Sequence, residues 1–160
     1  MAKKNENPIE DQEVMEAPVE STPTESESPT TEVSTEDKLK ELQSKRMGMF
    51  KVNLSYLDAK YLRNMLDKTV YKGPQQAYLL IISKLEMAQV CEMLKNEAKE
   101  TKSQVDLSSA TIESISFFMN QKEGTGADSA QRLFAASMVL RPAIEQINKL
   151  DQEISDLSKS

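Results

Sequence analysis

The sequence predicts an all-α protein of tandem helical hairpins, four to five helices in a pseudo-duplicated arrangement, preceded by a disordered acidic N-terminal tail. Three observations lead there. The composition changes sharply near residue 36. Beyond it, apolar residues recur three and four apart, the period of a helix with one buried face. Residues 51–103 can also be laid on 104–156 at a constant offset of 53 without a gap. The expected organisation is a tail over 1–36, a short helix and linker over 37–50, and a duplicated helical-hairpin domain over 51–160 with units 51–103 and 104–156.

The tail, Met1 to Glu36, holds ten carboxylates and two lysines, a net −8, together with Pro8, Pro18, Pro23 and Pro29 and no aromatic residue. Such a segment has too little apolar surface to offset its ordering entropy, so disorder is predicted. The whole chain carries −6, which leaves +2 for residues 37–160. The acidity thus belongs to the tail, as a solubilising spacer or as an electrostatic arm for a basic face of its own domain or of a partner.

Ser34 and Asp37 stand in capping-box register, and Leu39 and Leu42 share a face, which predicts a helix from about Thr35 to Arg46. Gly48 breaks that pattern, and Met49 to Leu54 alternate weakly, as one short extended segment would. Ser55 and Asp58 form a second capping box, opening a helix to about Val70 with Leu57, Tyr61, Leu62, Met65 and Leu66 as its stripe. Gly73-Pro74 stops it and starts another, to about Lys102. The opening of that helix, Ala77 to Ile82, is apolar on every side and predicts a central buried helix.

The second unit repeats the plan. Ser108 or Ser109 caps a helix to about Gln121, Gly124-Thr125-Gly126 makes an inter-helix turn, and a last helix follows. Pro142, where the first unit has Gln89, is expected to kink or break it. The duplication rests on pairs such as Val52 with Val105, Leu54 with Leu107, Leu62 with Ile115, Met87 with Leu140 and Leu94 with Ile147.

The chain of 160 residues has one Cys and no His. That excludes the usual zinc and iron–sulfur ligand sets, the Ser-His-Asp and Cys-His pairs, and an internal disulfide. Helical di-metal centres pair Glu with His, so Glu92, Glu97 and Glu100 read as a solvated helix face. Cys91 falls on an inward stripe and reads as a small buried hydrophobe. The expected protein is not an enzyme and uses no cofactor and no metal. Lys3 and Lys4 are followed by Asn5-Glu6-Asn7-Pro8, where a signal peptide needs an apolar run. The longest such run, Ala77 to Ile82, is far short of the roughly 20 residues that cross a bilayer, so no membrane is expected.

Two binding surfaces remain. Leu140, Ile147 and Ile154 recur every seven residues, with Ala143, Leu150 and Leu157 in the complementary positions, and this a/d seam wants another helix. That helix is internal, as the one from Pro74 to Lys102 would be, or belongs to a protein partner or to a second copy in a homo-oligomer. On the second alternative, Leu140, Ile147, Leu150, Ile154 and Leu157 are the contact residues. Lys51, Lys60, Arg63, Lys68 and Lys72 form the candidate basic face, in a first unit that carries +3. A helix-turn-helix could present such a face to DNA, but its charge density is low and the acidic tail competes for it. Nucleic acid therefore ranks below protein as the expected partner.

Val52-Asn53-Leu54-Ser55, a helix with spaced leucines, Lys72-Gly73, and then Ala77, Leu80, Ile81 and Lys84-Leu85-Glu86 resemble the short helical hairpins of small accessory proteins of tailed bacteriophages. The second unit departs from this pattern, with Ser137-Met138-Val139 in place of the Lys-Leu-Glu element. The resemblance implies a virion-associated, assembly or host-interaction role and brings no catalytic residue. The expected function is protein–protein contact, as an assembly or scaffold-like component, or as a small regulator of a host or nucleic-acid-processing protein. Its expected place is the cytoplasm, or a virion if the origin is a phage.

Overall fold

The computed structural model describes residues 34–159; of the tail expected to be disordered over 1–36, residues 1–33 lie outside them, while Thr35 and Glu36 belong to a helix. The described chain is mostly helical. In order it forms α1 (Thr35–Arg46), β1 (Met49–Leu54), α2 (Tyr56–Asp67), α3 (Gly73–Leu94), β2 (Ser103–Ser108), α4 (Ser109–Asn120) and α5 (Ala127–Leu157). Apart from α1, the order strand, helix, helix occurs twice.

The five helices agree with the all-α expectation, β1 is the extended segment expected over Met49 to Leu54, and β2 adds a strand that was not expected. β1 and β2 pair antiparallel into a two-stranded ribbon, with Val52 opposite Val105 and Met49 opposite Ser108. The expected helix to Lys102 ends instead at Leu94. Two tight turns follow, closed by Glu97 N–H to the Leu94 carbonyl at 3.0 Å and Thr101 N–H to the Ala98 carbonyl at 2.9 Å. Residues 95–102 are mostly good helix formers, so pairing of Val105 and Leu107 with β1 has overridden local propensity. A lone two-stranded ribbon is marginal in water. This one is held because Phe50, Val52, Leu54, Val105 and Leu107 are buried against the helices.

The register has a consequence for symmetry. Paired residues sum to 157, and the repeat offset is 53, so the only residue paired with its own repeat mate is Val52, with Val105. A pseudo-two-fold axis therefore passes through that pair. Burial follows the same relation. Leu62 and Ile115, Met65 and Phe118, Met87 and Leu140, and Leu94 and Ile147 are mates, and all are buried.

The helix starts differ between the halves. At α2 the expected capping box forms: the Ser55 hydroxyl accepts from Asp58 N–H at 3.1 Å, and the Asp58 carboxylate accepts from Ser55 N–H at 3.0 Å. At α4 the Ser108 hydroxyl accepts from Thr111 N–H, but the mate of Asp58 is Thr111, which has no carboxylate. Glu86 of α3 reaches across instead, accepting from Ser108 N–H and from its hydroxyl, each at 2.6 Å. Charge-assisted bonds of this kind are about twice as strong as neutral ones.

Three expectations about helices change. The opening of α3 is not central: Tyr78, Ile81 and Leu85 are exposed, and the buried stripe begins at Ser83 and continues through Met87, Val90, Cys91 and Leu94. Leu57, expected inward, is also exposed. Pro142 does not end α5, which runs unbroken from Ala127 to Leu157. Its ring lies on the exposed face, and Met138, whose carbonyl loses a donor, is exposed as well, so water can serve that group.

Candidate nucleic-acid interface

Because side chains alternate along a strand, the ribbon has two unlike faces. Phe50, Val52 and Leu54 point inward, so Met49, Lys51 and Asn53 point out, and on β2 Gln104 and Asp106 do the same. All five are exposed. The register places Lys51 opposite Asp106 and Asn53 opposite Gln104, a separation of about 5 Å between Cβ atoms in such pairs. The ribbon thus presents two polar levels, one on each side of the pseudo-two-fold axis. At about 3.4 Å per residue a six-residue strand spans about 20 Å. The two strands of the ribbon lie about 5 Å apart.

The residues of the predicted basic face are distributed over several places. Lys51 alone is on the ribbon. Lys60 lies on α2 with its ammonium 6.0 Å from the centre of the Tyr56 ring. Arg63, half-buried, sits beside Cys91. Lys68 and Lys72 join Lys122, which the sequence did not single out, around a cavity of about 700 Å³ floored by Met65 and Phe118. The Cys91 side chain is buried; burial pushes its thiol up, and the Arg63 charge opposes this only in part.

The a/d seam is occupied from within. Leu140 and Ile147 are buried in the core, while Leu150, Ile154 and Leu157 are half-buried. The helices packed most closely against α5 are α1 and α4, not α3, and the two apolar residues of α1, Leu39 and Leu42, are both half-buried. Arg46 fixes the arrangement, donating from Nε to Asp151 at 2.6 Å and through both terminal nitrogens to Glu113 at 2.5 and 3.2 Å. Hydrogen bonding to Asp151 first, and to Glu113, raises the Arg46 pKa against the opposing effect of burial.

Asn53, Gln104 and Asp106 were not among the candidate residues. A signal for them existed: Val105-Asp106-Leu107-Ser108 repeats Val52-Asn53-Leu54-Ser55, so an extended reading of the first copy implies one of the second. Among the described residues, no cluster of three or more His, Cys, Asp or Glu is placed to hold a metal ion, and no helix is long and apolar enough to cross a membrane. No family model, curated protein or solved structure matches the chain.

Proposed function

We propose that this protein binds duplex DNA by laying the outer face of the β1–β2 ribbon in the major groove. The observation that carries this reading is the open polar face itself: Lys51, Asn53, Gln104 and Asp106, arranged about a pseudo-two-fold axis. A two-stranded ribbon is one of the two elements a major groove admits, and Lys, Asn, Gln and Asp are side chains that match base edges there. Only one of the four is cationic, so base contacts must contribute a large share and non-specific affinity is low. The acidic leader further opposes phosphate binding. The test is retention of the full-length chain on duplex DNA across a salt series. Retention is expected to weaken only gently with salt, because a single cation stands on the face, to fall at least tenfold in Lys51→Ala/Asn53→Ala, and to rise when residues 1–32 are removed. Absence of retention at low salt for both the full-length and the shortened chain defeats the reading.

A second reading, protein–protein contact, is favoured by a separate surface. Tyr78, Ile81 and Leu85 form an exposed row on α3, and Phe134 and Met138, the repeat mates of Ile81 and Leu85, are exposed on α5. Exposed apolar patches mark contact surfaces. This is the version in which an assembly, virion-associated or host-regulating role belongs, with a partner protein or a second copy on the row. Light scattering over a concentration series, with Ile81→Lys/Phe134→Lys as the control, distinguishes self-association from a monomer that awaits a partner.

A further inference from the structure

We infer that the DNA site read by this ribbon is asymmetric, with a G·C pair on one side of its centre and an A·T pair on the other. The inference rests on the proposed DNA reading and concerns what the same face selects. Symmetry sets the problem. The pseudo-two-fold axis through Val52 and Val105 exchanges the level Lys51/Asp106 with the level Asn53/Gln104. Two identical strands would put the same pair of side chains at both levels and would select a palindrome. These strands do not, because the mate of Lys51 is Gln104 and the mate of Asn53 is Asp106.

The chemistry of each level then assigns its base pair. In the major groove a G·C pair shows two acceptors, guanine N7 and O6, beside one donor, the cytosine amino group. Lys51 is a donor without acceptors and Asp106 an acceptor without donors, so side by side they complement that edge. An A·T pair shows adenine N7 as acceptor and N6 as donor, the pattern an amide side chain matches with two bonds. Asn53 and Gln104 supply amides at the other level. The carboxylate is the decisive group. Asp106 repels phosphate and gains only where a base amino group meets it; cytosine N4 lies at one end of its edge, clear of the two acceptors that Lys51 takes, whereas adenine N6 lies between two acceptors, which a carboxylate beside it meets unfavourably. The two levels are two residues apart along a strand, about 7 Å, which matches about two base steps of 3.4 Å.

The experiment is selection of bound duplexes from a random pool by the full-length chain, run beside Gln104→Lys/Asp106→Asn. That variant gives both levels the same Lys and Asn pair, and both substitutions lie on the exposed face. Thermal melting by circular dichroism verifies that its fold is unchanged. The wild type is expected to enrich a non-palindromic motif, with G·C and A·T about two steps apart, and the symmetrised variant a palindromic one. A palindromic wild-type motif overturns the inference, as does an identical motif for both proteins or salt-sensitive retention without any motif, and each of these leaves DNA binding standing. No retention of either protein at low salt defeats the DNA reading itself and the inference with it.

Discussion

In the first half of the molecule the opening turn of α2 is closed by its own residues, Ser55 and Asp58, whereas the second half opens α4 with Ser108 and a carboxylate, Glu86, that belongs to α3 of the first. The halves match in element order and in buried positions, yet they are not interchangeable. The first can cap itself. The second needs the first folded before its helix start is satisfied, and Thr111, standing where Asp58 has its mate, keeps its own Oγ1 buried without a partner. Duplicated cores thus become one cooperative unit through a few contacts that break the repeat.

The largest test of that comparison uses mates in the core. Leu62 and Ile115 are both fully buried. Leu62→Ala and Ile115→Ala are each expected to cost about 2–5 kcal/mol. The readout is unusually informative because all four tyrosines, Tyr56, Tyr61, Tyr71 and Tyr78, lie in the first half and there is no Trp. In urea unfolding, Ile115→Ala is expected to shift the tyrosine-fluorescence midpoint as far as it shifts the helical signal at 222 nm. A tyrosine midpoint that stays in place while the helical signal moves shows that the halves unfold separately.

The caps come next in size. Asp58→Ala removes a local capping partner, with an expected loss of about 1 kcal/mol. Glu86→Ala removes two charge-assisted bonds at a part-buried site and leaves Ser108 N–H unserved, with an expected loss of about 1.5–3 kcal/mol. The order of the two losses is the sharper measurement. Equal losses in chemical denaturation mean that Glu86 is only a helix cap and does not bind one half to the other.

How much of this was legible in the sequence depends on whether a signal is local. The capping box at Ser55 and Asp58, the Ser34 cap and the run of α1 could be read because a cap is written within four residues, whereas α2 ends at Asp67, short of the expected Val70. The second strand could not be read by pattern alone. It offers only Val105 and Leu107 as alternating apolar residues, after eight residues that favour helix and turn. What makes it a strand is Phe50, Val52 and Leu54 more than 50 residues earlier, and with it came Gln104 and Asp106, the half of the candidate site that sequence reasoning missed. The seam on α5 was recognised as needing a helix. The internal candidate named for it, the helix from Pro74 to Lys102, is not the one that packs there, because α1 offers only Leu39 and Leu42, too few to single it out, and because Arg46, which anchors it, looks like any surface arginine until Glu113 and Asp151 are brought to it. The apolar opening of α3 misled for the opposite reason: its composition fits burial, and no described element covers Tyr78, Ile81 and Leu85.

The smallest difference between the halves is one oxygen atom. Ser83 in α3 is buried, and its Oγ has no hydrogen-bond partner, while its mate in α5 is Ala136, equally buried. A hydroxyl buried without a partner loses its bonds to water and regains nothing, a cost of about 1–3 kcal/mol. Replacing the hydroxyl with hydrogen removes that cost and opens a void of a single atom, far less than a Leu→Ala cavity. Ser83→Ala is therefore expected to raise stability by about 1 kcal/mol, and Ala136→Ser to lower it by a similar amount, each as a shift in urea midpoint at constant slope. The paired design separates two causes that one variant would confuse. If Ser83→Ala lowers stability, the hydroxyl is bonding back to the carbonyl of Leu79 four residues earlier, as helical serines do. Ala136→Ser should then be close to neutral, since the same carbonyl position is open to it in α5.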